Sequence, residues 1–110
     1  MVFMLFGNVI NAVTTLASAG ATKFLVPSRG DLGYTPSGNV GLTGESQDFK
    51  NTIFSEYAGS DTVTVVDLLS WHHAVRGDPS AFGLTNVDDA CDLSPENCDT
   101  YLLYDNTHPT

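Results

Sequence analysis

Basic charge is what this chain has least of. Four Lys and Arg residues stand against 13 Asp and Glu, for a formal net charge of -9 and a pI near 4.2. Such a surface repels phosphate backbones and anionic lipid headgroups, so nucleic acid is not an expected partner. Long apolar runs are also missing: none approaches the ~20 residues that span a bilayer, and no integral membrane segment is expected. No Asn-x-Ser/Thr sequon occurs, so glycosylation offers no argument for secretion. No basic residue precedes Lys23, and Asn8 and Asn11 interrupt the first apolar stretch. Residues 1 to 20 therefore read as a helix and not as a secretory leader, despite the small-residue run Ala17-Ser18-Ala19. Internal repeats and low-complexity tracts are absent.

Cysteine is scarce as well. Cys91 and Cys98 are the only two, in a loop rich in Asp, Pro and Asn. They are either free thiols in a reducing compartment or a short disulfide. The disulfide is the expectation here, because a loop with little apolar content gains from covalent closure, and such bonds persist in oxidising compartments. A secreted protein is expected on the same ground.

What is present is a packed globular composition, 42% hydrophobic and 15% charged, in 110 residues that suit one modest domain. Phe6, Val9, Ile10, Val13, Leu16 and Ala17 recur at helical spacing, with Gly20 where a helix stop belongs. Thr22-Lys23-Phe24-Leu25-Val26-Pro27 reads as a buried strand ended by its proline. Ser28 to Gly44 holds Gly30, Gly33, Gly38, Gly41, Gly44 and Pro36, and is expected to be a loop at a strand C-terminal end, where α/β folds put ligands. In it Asp31 and Tyr34 either line a substrate cleft or, for Asp31, cap a turn. Glu45 to Ala58 is expected to be the second helix, and the β-branched Thr62-Val63-Thr64-Val65-Val66 the second strand. Asp67 then caps a third helix, Leu68 to Val75. Helices and strands alternating with short connections imply parallel strands in a layered α/β fold.

His72 and His73 are neighbours on that third helix, about 100° apart, and cannot share a metal as i, i+4 ligands would. They read as structural. Two Arg-Gly-Asp triplets, Arg29-Gly30-Asp31 and Arg76-Gly77-Asp78, fall in Gly-rich turns that favour those residues anyway. The chemistry concentrates in Asp105-Asn106-Thr107-His108-Pro109-Thr110. A carboxylate three residues before a histidine can hold one ring nitrogen and leave the other to act as a general base. Pro109 stiffens the chain just after it.

With Phe24-Leu25-Val26-Pro27, Asp31-Leu32-Gly33, Asp78-Pro79-Ser80-Ala81-Phe82-Gly83-Leu84-Thr85-Asn86-Val87 and Ala90-Cys91, that closing motif resembles the C-terminal half of the GDSL esterase/lipases, or SGNH hydrolases. The resemblance covers most of residues 16 to 110, and departs at Ser28-Arg29-Gly30, where the family usually has Asn-Leu-Pro. It implies a three-layer α/β/α sandwich with a parallel, flavodoxin-like sheet. It also implies a serine-dependent ester hydrolase that uses no metal or organic cofactor, with Asp105 and His108 as the acid-base part of its triad. Lipid, short-chain and acetylated carbohydrate esters are all open as substrates. The family's Gly-Asp-Ser nucleophile and Gly-x-Asn oxyanion motif do not occur: Gly30-Asp31 runs into Leu32 and Gly77-Asp78 into Pro79. Residues 1–110 are accordingly expected to be the C-terminal portion of a single hydrolase domain. The competing expectations are a non-catalytic acidic binding module, acting through the 28 to 44 loop or the Arg-Gly-Asp turns, and a degenerate family member.

Overall fold

The structure, a computed structural model, describes residues 2–110. Its main elements are α1 (Val2–Ser18), β1 (Phe24–Pro27), α2 (Val40–Glu56), β2 (Val63–Val66), α3 (Leu68–Gly77), β3 (Asn86–Ala90) and β4 (Tyr101–Leu103). β1 and β2 pair in parallel, Phe24 opposite Val63 and Pro27 opposite Val66, and α2 is the crossover that such a pair requires. Ser28 carries the ladder one bond further, its N–H donating to the Val66 carbonyl at 2.8 Å. Its hydroxyl accepts the Leu68 N–H at 2.9 Å, satisfying a free donor in the first turn of α3.

β3 and β4 form a second parallel pair, Asn86 opposite Tyr101 and Ala90 opposite Leu103, with an irregularity between. The chain is therefore α/β with parallel strands, but its strands lie in two separate two-stranded sheets. The disulfide expected between Cys91 and Cys98 is formed, with Cα atoms 5.3 Å apart, and closes the connection from β3 to β4. The Cys91 N–H donates to the Leu103 carbonyl at 3.1 Å, tying that loop to the end of β4. Among the described residues no helix is long and apolar enough to cross a membrane.

The helices follow their local signals, with one exception. α1 turns its Phe6, Val9 and Val13 onto a core of Val26, Phe49, Ile53 and Val63, while Leu16, expected on the same face, remains exposed. Gly20 ends the helix at φ 107°, and the following Ala21 N–H reaches back to the Leu16 carbonyl at 3.0 Å. Full burial of Ile53 at the centre of this core is worth roughly 2–3 kcal/mol. α3 starts as expected, with Asp67 accepting the Ser70 N–H at 3.0 Å.

The exception is α2, which begins at Val40 and not at Glu45. Gly41 and Gly44 each cost a helix about 1 kcal/mol, and the deficit is met locally. The Asn39 side chain caps the helix by accepting the Gly41 N–H at 3.0 Å, and Ser46 is fully buried one turn in, bonding the Leu42 carbonyl and the Leu32 N–H. A smaller core of Val75, Leu102 and Leu103, flanked by Leu84 and Val87, joins α3 to the second sheet. Leu102 and Leu103 of this second core also border the candidate site.

Candidate functional site

After β4 the chain doubles back on itself. The Tyr104 N–H donates to the His108 carbonyl at 2.8 Å, the Thr110 N–H to the Leu102 carbonyl at 3.0 Å, and Leu103 bridges Pro109 in antiparallel fashion. Asp105 organises the tip of this reversal. Its Oδ1 accepts the Thr107 N–H at 2.8 Å and the His108 N–H at 2.6 Å, an Asx-type turn. His108 Nδ1 lies 3.0 Å from Oδ1 and 2.9 Å from Oδ2.

The His108 N–H, the His108 ring and the Thr107 N–H, in that order, hold the Asp105 carboxyl down to about 2. A carboxylate only accepts, so the proton it meets on His108 sits on Nδ1, and in a neutral ring so held the lone pair is on Nε2. That is the tautomer a general base needs. The histidine side chain is 74% exposed and the aspartate 35%, and Nε2 has no hydrogen-bond partner among the described residues. The turn is clasped from the 28 to 44 loop: Ser37 donates its hydroxyl to the Asn106 carbonyl at 2.8 Å and its N–H to the same oxygen at 3.2 Å.

His108 stands at one side of a cavity of about 310 Å³. The loop after β1 contributes Gly30, Asp31, Leu32 and Thr35. One face of α3 contributes Leu68, Trp71 and His72, and β4 with the reversal contributes Leu102, Leu103, Thr107 and Pro109. Most of these walls are apolar. Asp31 borders the cavity and also caps a turn: its Oδ1 accepts the Gly33 N–H and the Thr43 hydroxyl, each at 2.9 Å. Tyr34 is not on the cavity. Its ring meets His73 edge-on at 6.2 Å and lies under the Arg76 guanidinium at 4.2 Å.

His72 and His73, expected to be structural, are both held by Asp31. The Asp31 N–H donates to His72 Nδ1 at 2.8 Å, and Asp31 Oδ2 meets His73 Nε2 at 2.7 Å. Burial alone would raise the Asp31 carboxyl, yet the bonds from His73, Thr43 and Gly33 outweigh it and its pKa lies below the ordinary 3.8. Burial, and then the charge of Arg76, pushes His72 below its usual imidazole range as well, and the Asp31 N–H on Nδ1 requires the lone pair of a neutral ring. A structural part for these histidines is what the bonds describe, and His72 is also cavity wall.

Sequence reading did not find Trp71, His72, Leu102 or Leu103 as site residues. The half-exposed Trp71, the chain's one tryptophan, is the signal that was there to use. The first Arg-Gly-Asp triplet is not displayed, since its Asp31 is fully buried. In the second, Arg76 is committed to Asp88 at 2.7 Å and to the Val87 carbonyl at 3.0 Å. Among the described residues no three His, Cys, Asp or Glu side chains group as ligands for a metal ion. Compared with protein-family models and with curated protein sequences, the chain matches neither.

Proposed function

We propose that the chain carries the aspartate-histidine half of a serine esterase site of the GDSL esterase/lipase kind, with the adjoining cavity receiving the acyl group. One observation carries this reading: Asp105 holds His108 by Nδ1 and leaves Nε2 unbonded beside an apolar cavity. A serine hydroxyl supplied at that edge loses its proton to Nε2 as its oxygen attacks the ester carbonyl. Asp105 stabilises the imidazolium so formed, and the same proton then passes to the leaving alkoxide. Water repeats the sequence to release the acid. The serine and its oxyanion donors come from a polypeptide segment outside these residues, since no Gly-Asp-Ser occurs among them. A cavity of about 310 Å³ is at the small end for ligand sites and suits an acetyl or short acyl group.

The finer architecture belongs to the same proposal. The β1–β2 pair, with Leu25 70% exposed, is a nucleus to which further parallel strands add to complete a three-layer sandwich. The Cys91–Cys98 disulfide suits an extracellular setting.

The test is ester turnover by this chain joined to, or mixed with, a segment bearing the serine. His108→Ala is expected to abolish hydrolysis of a chromogenic acetyl ester, and Asp105→Asn to lower turnover about 10⁴-fold without unfolding the protein. Turnover left unchanged by His108→Ala would reduce the pair to a stabiliser of the turn and favour a binding module instead.

A further inference from the structure

Tyr104 is the residue from which the reversal after β4 departs. Its N–H closes the turn on the His108 carbonyl, and its own carbonyl accepts two further donors, the Asp92 N–H at 2.8 Å and the Cys91 N–H at 3.1 Å. The Cys91 N–H is shared with the carbonyl of Leu103, a cavity residue. Asp105 follows Tyr104 directly. The root of the Asp105–His108 turn is therefore fixed by the first two residues of the connection from β3 to β4, as its tip is fixed by Ser37.

That connection has little else to hold it. Of residues 91 to 100 only Cys91 is buried, and Leu93 is 93% exposed. Asp92, Glu96 and Asp99 repel one another with no Lys or Arg among them. Among the described residues, hydrogen bonds leave this loop only at its ends: from Cys91 and Asp92, and at Thr100, whose carbonyl accepts the Thr85 N–H at 2.8 Å. Those in between join near neighbours, as the Ser94 N–H joins the Cys91 carbonyl at 2.8 Å and the Cys98 N–H the Pro95 carbonyl at 3.1 Å. A segment with so few buried contacts opens locally before the fold does, and the Cys91–Cys98 bond is what confines it.

We propose that the Cys91–Cys98 disulfide is a positioning element for His108. By keeping the Cys91 and Asp92 N–H groups on the Tyr104 carbonyl it sets where the turn leaves β4, and its reduction by a dithiol frees the Asp105–His108 pair while both cores remain. In that reduction the dithiol gives up two electrons and two protons, closing to its own cyclic disulfide, and both cysteines become thiols. The proposal rests on reading the pair as the acid-base half of the site and adds to it a redox-sensitive support. A general base misplaced by about 1 Å costs on the order of 10²-fold in turnover.

The experiment compares the oxidised chain, labelled with nitrogen-15 and with carbon-13 in its methyl groups, with the same chain in excess dithiothreitol at about pH 8.5, where an ordinary imidazole is neutral. In the oxidised chain the His108 ring nitrogens are expected to show the proton on Nδ1 and the lone pair on Nε2. On reduction both are expected to shift to the tautomer mixture of an unrestrained histidine, and the Cys91 and Asp92 amide protons to exchange faster. The methyl resonances of Ile53 and Val75, one in each core, are expected to stay in place. Cys98→Ser, which opens the loop and leaves Cys91 where it is, is expected to give the reduced spectrum without reductant. Asp67→Asn, which weakens the fold away from the loop, is expected to leave the His108 nitrogens of the oxidised chain unmoved. Unchanged His108 nitrogens on reduction would overturn the proposal. So would their moving together with the Ile53 and Val75 signals, since the bridge would then serve the fold as a whole. A His108 already in the unrestrained mixture in the oxidised chain would overturn the acid-base reading along with it. All of these resonances are read on the chain alone, so the positioning is decided separately from ester turnover.

Discussion

Asp31 serves two adjacent imidazoles with different atoms, its N–H fixing His72 and its carboxylate holding His73. Substitution by alanine spares the first bond and removes the second, along with those to Thr43 and Gly33. The expected loss is about 2–3 kcal/mol in denaturant-induced unfolding, the scale of charge-assisted bonds at a fully buried site partly recovered by hydration of the half-exposed His73. Asp31→Asn, which keeps the shape and the acceptor for Gly33, is expected to lose less. Equal losses for the two variants would mean that packing, not the bonds, fixes this residue. Asp105 presents the opposite case, since its bonds are all within three residues of itself. That locality is also why the Asp105–His108 pair was legible in the sequence, whereas the cavity wall of Trp71, His72, Leu102 and Leu103 was not: their meeting depends on how α3 packs against β4.

Among the elements, α2 and its approach loop are the most closely fitted. A Cβ at Gly38 would run into the Leu32 carbonyl, and one at Gly33 into the Thr43 hydroxyl. Gly38 has no left-handed φ, so Gly38→Ala tests the contact alone. It is expected to cost about 1–3 kcal/mol by thermal or denaturant unfolding, and an unchanged midpoint would show that the loop yields. α2 and α3 are further joined by Lys50, whose ammonium lies 2.6 Å from the Asp67 carboxylate and donates to the Ser70 hydroxyl at 3.0 Å. Burial works against the charged carboxyl, yet Lys50 and Ser70 hold it down from 3.8 to about 2. With the folded value below the unfolded one, the protonated form is favoured in the unfolded chain. Its contribution to stability is thus complete above about pH 4 and is lost as the pH falls towards 2. Melting temperature should decline over that window, and Asp67→Asn should flatten the decline; an identical slope in the variant would remove Asp67 from the account. The elements legible in the sequence were those with dense local signals, the apolar periodicity of α1 and the β-branched run of β2. The start of α2 was hidden by its glycines, and β3, with Asp88 and Asp89 exposed, and the three-residue β4 owe their existence to long-range bonds such as Thr85 N–H to the Thr100 carbonyl.

At the scale of the whole molecule, two small cores are linked through α3, whose Asp67 end is bonded to α2 and whose Val75 lies in the second core. Neither two-stranded sheet is a stable unit without the helices on it, so loss of α3 packing is expected to open the cavity and both sheets together. The Ser37 clasp on Asn106 adds a consequence in time. It joins positions 69 residues apart, while the Asp105–His108 contact spans only three. Closing a short loop is fast and closing a long one must await the intervening chain. In refolding, the turn should therefore acquire its paired histidine early and be fastened in place last. A His108 resonance that reaches its native position before that of Asn106 would record that order, and simultaneous arrival would deny it.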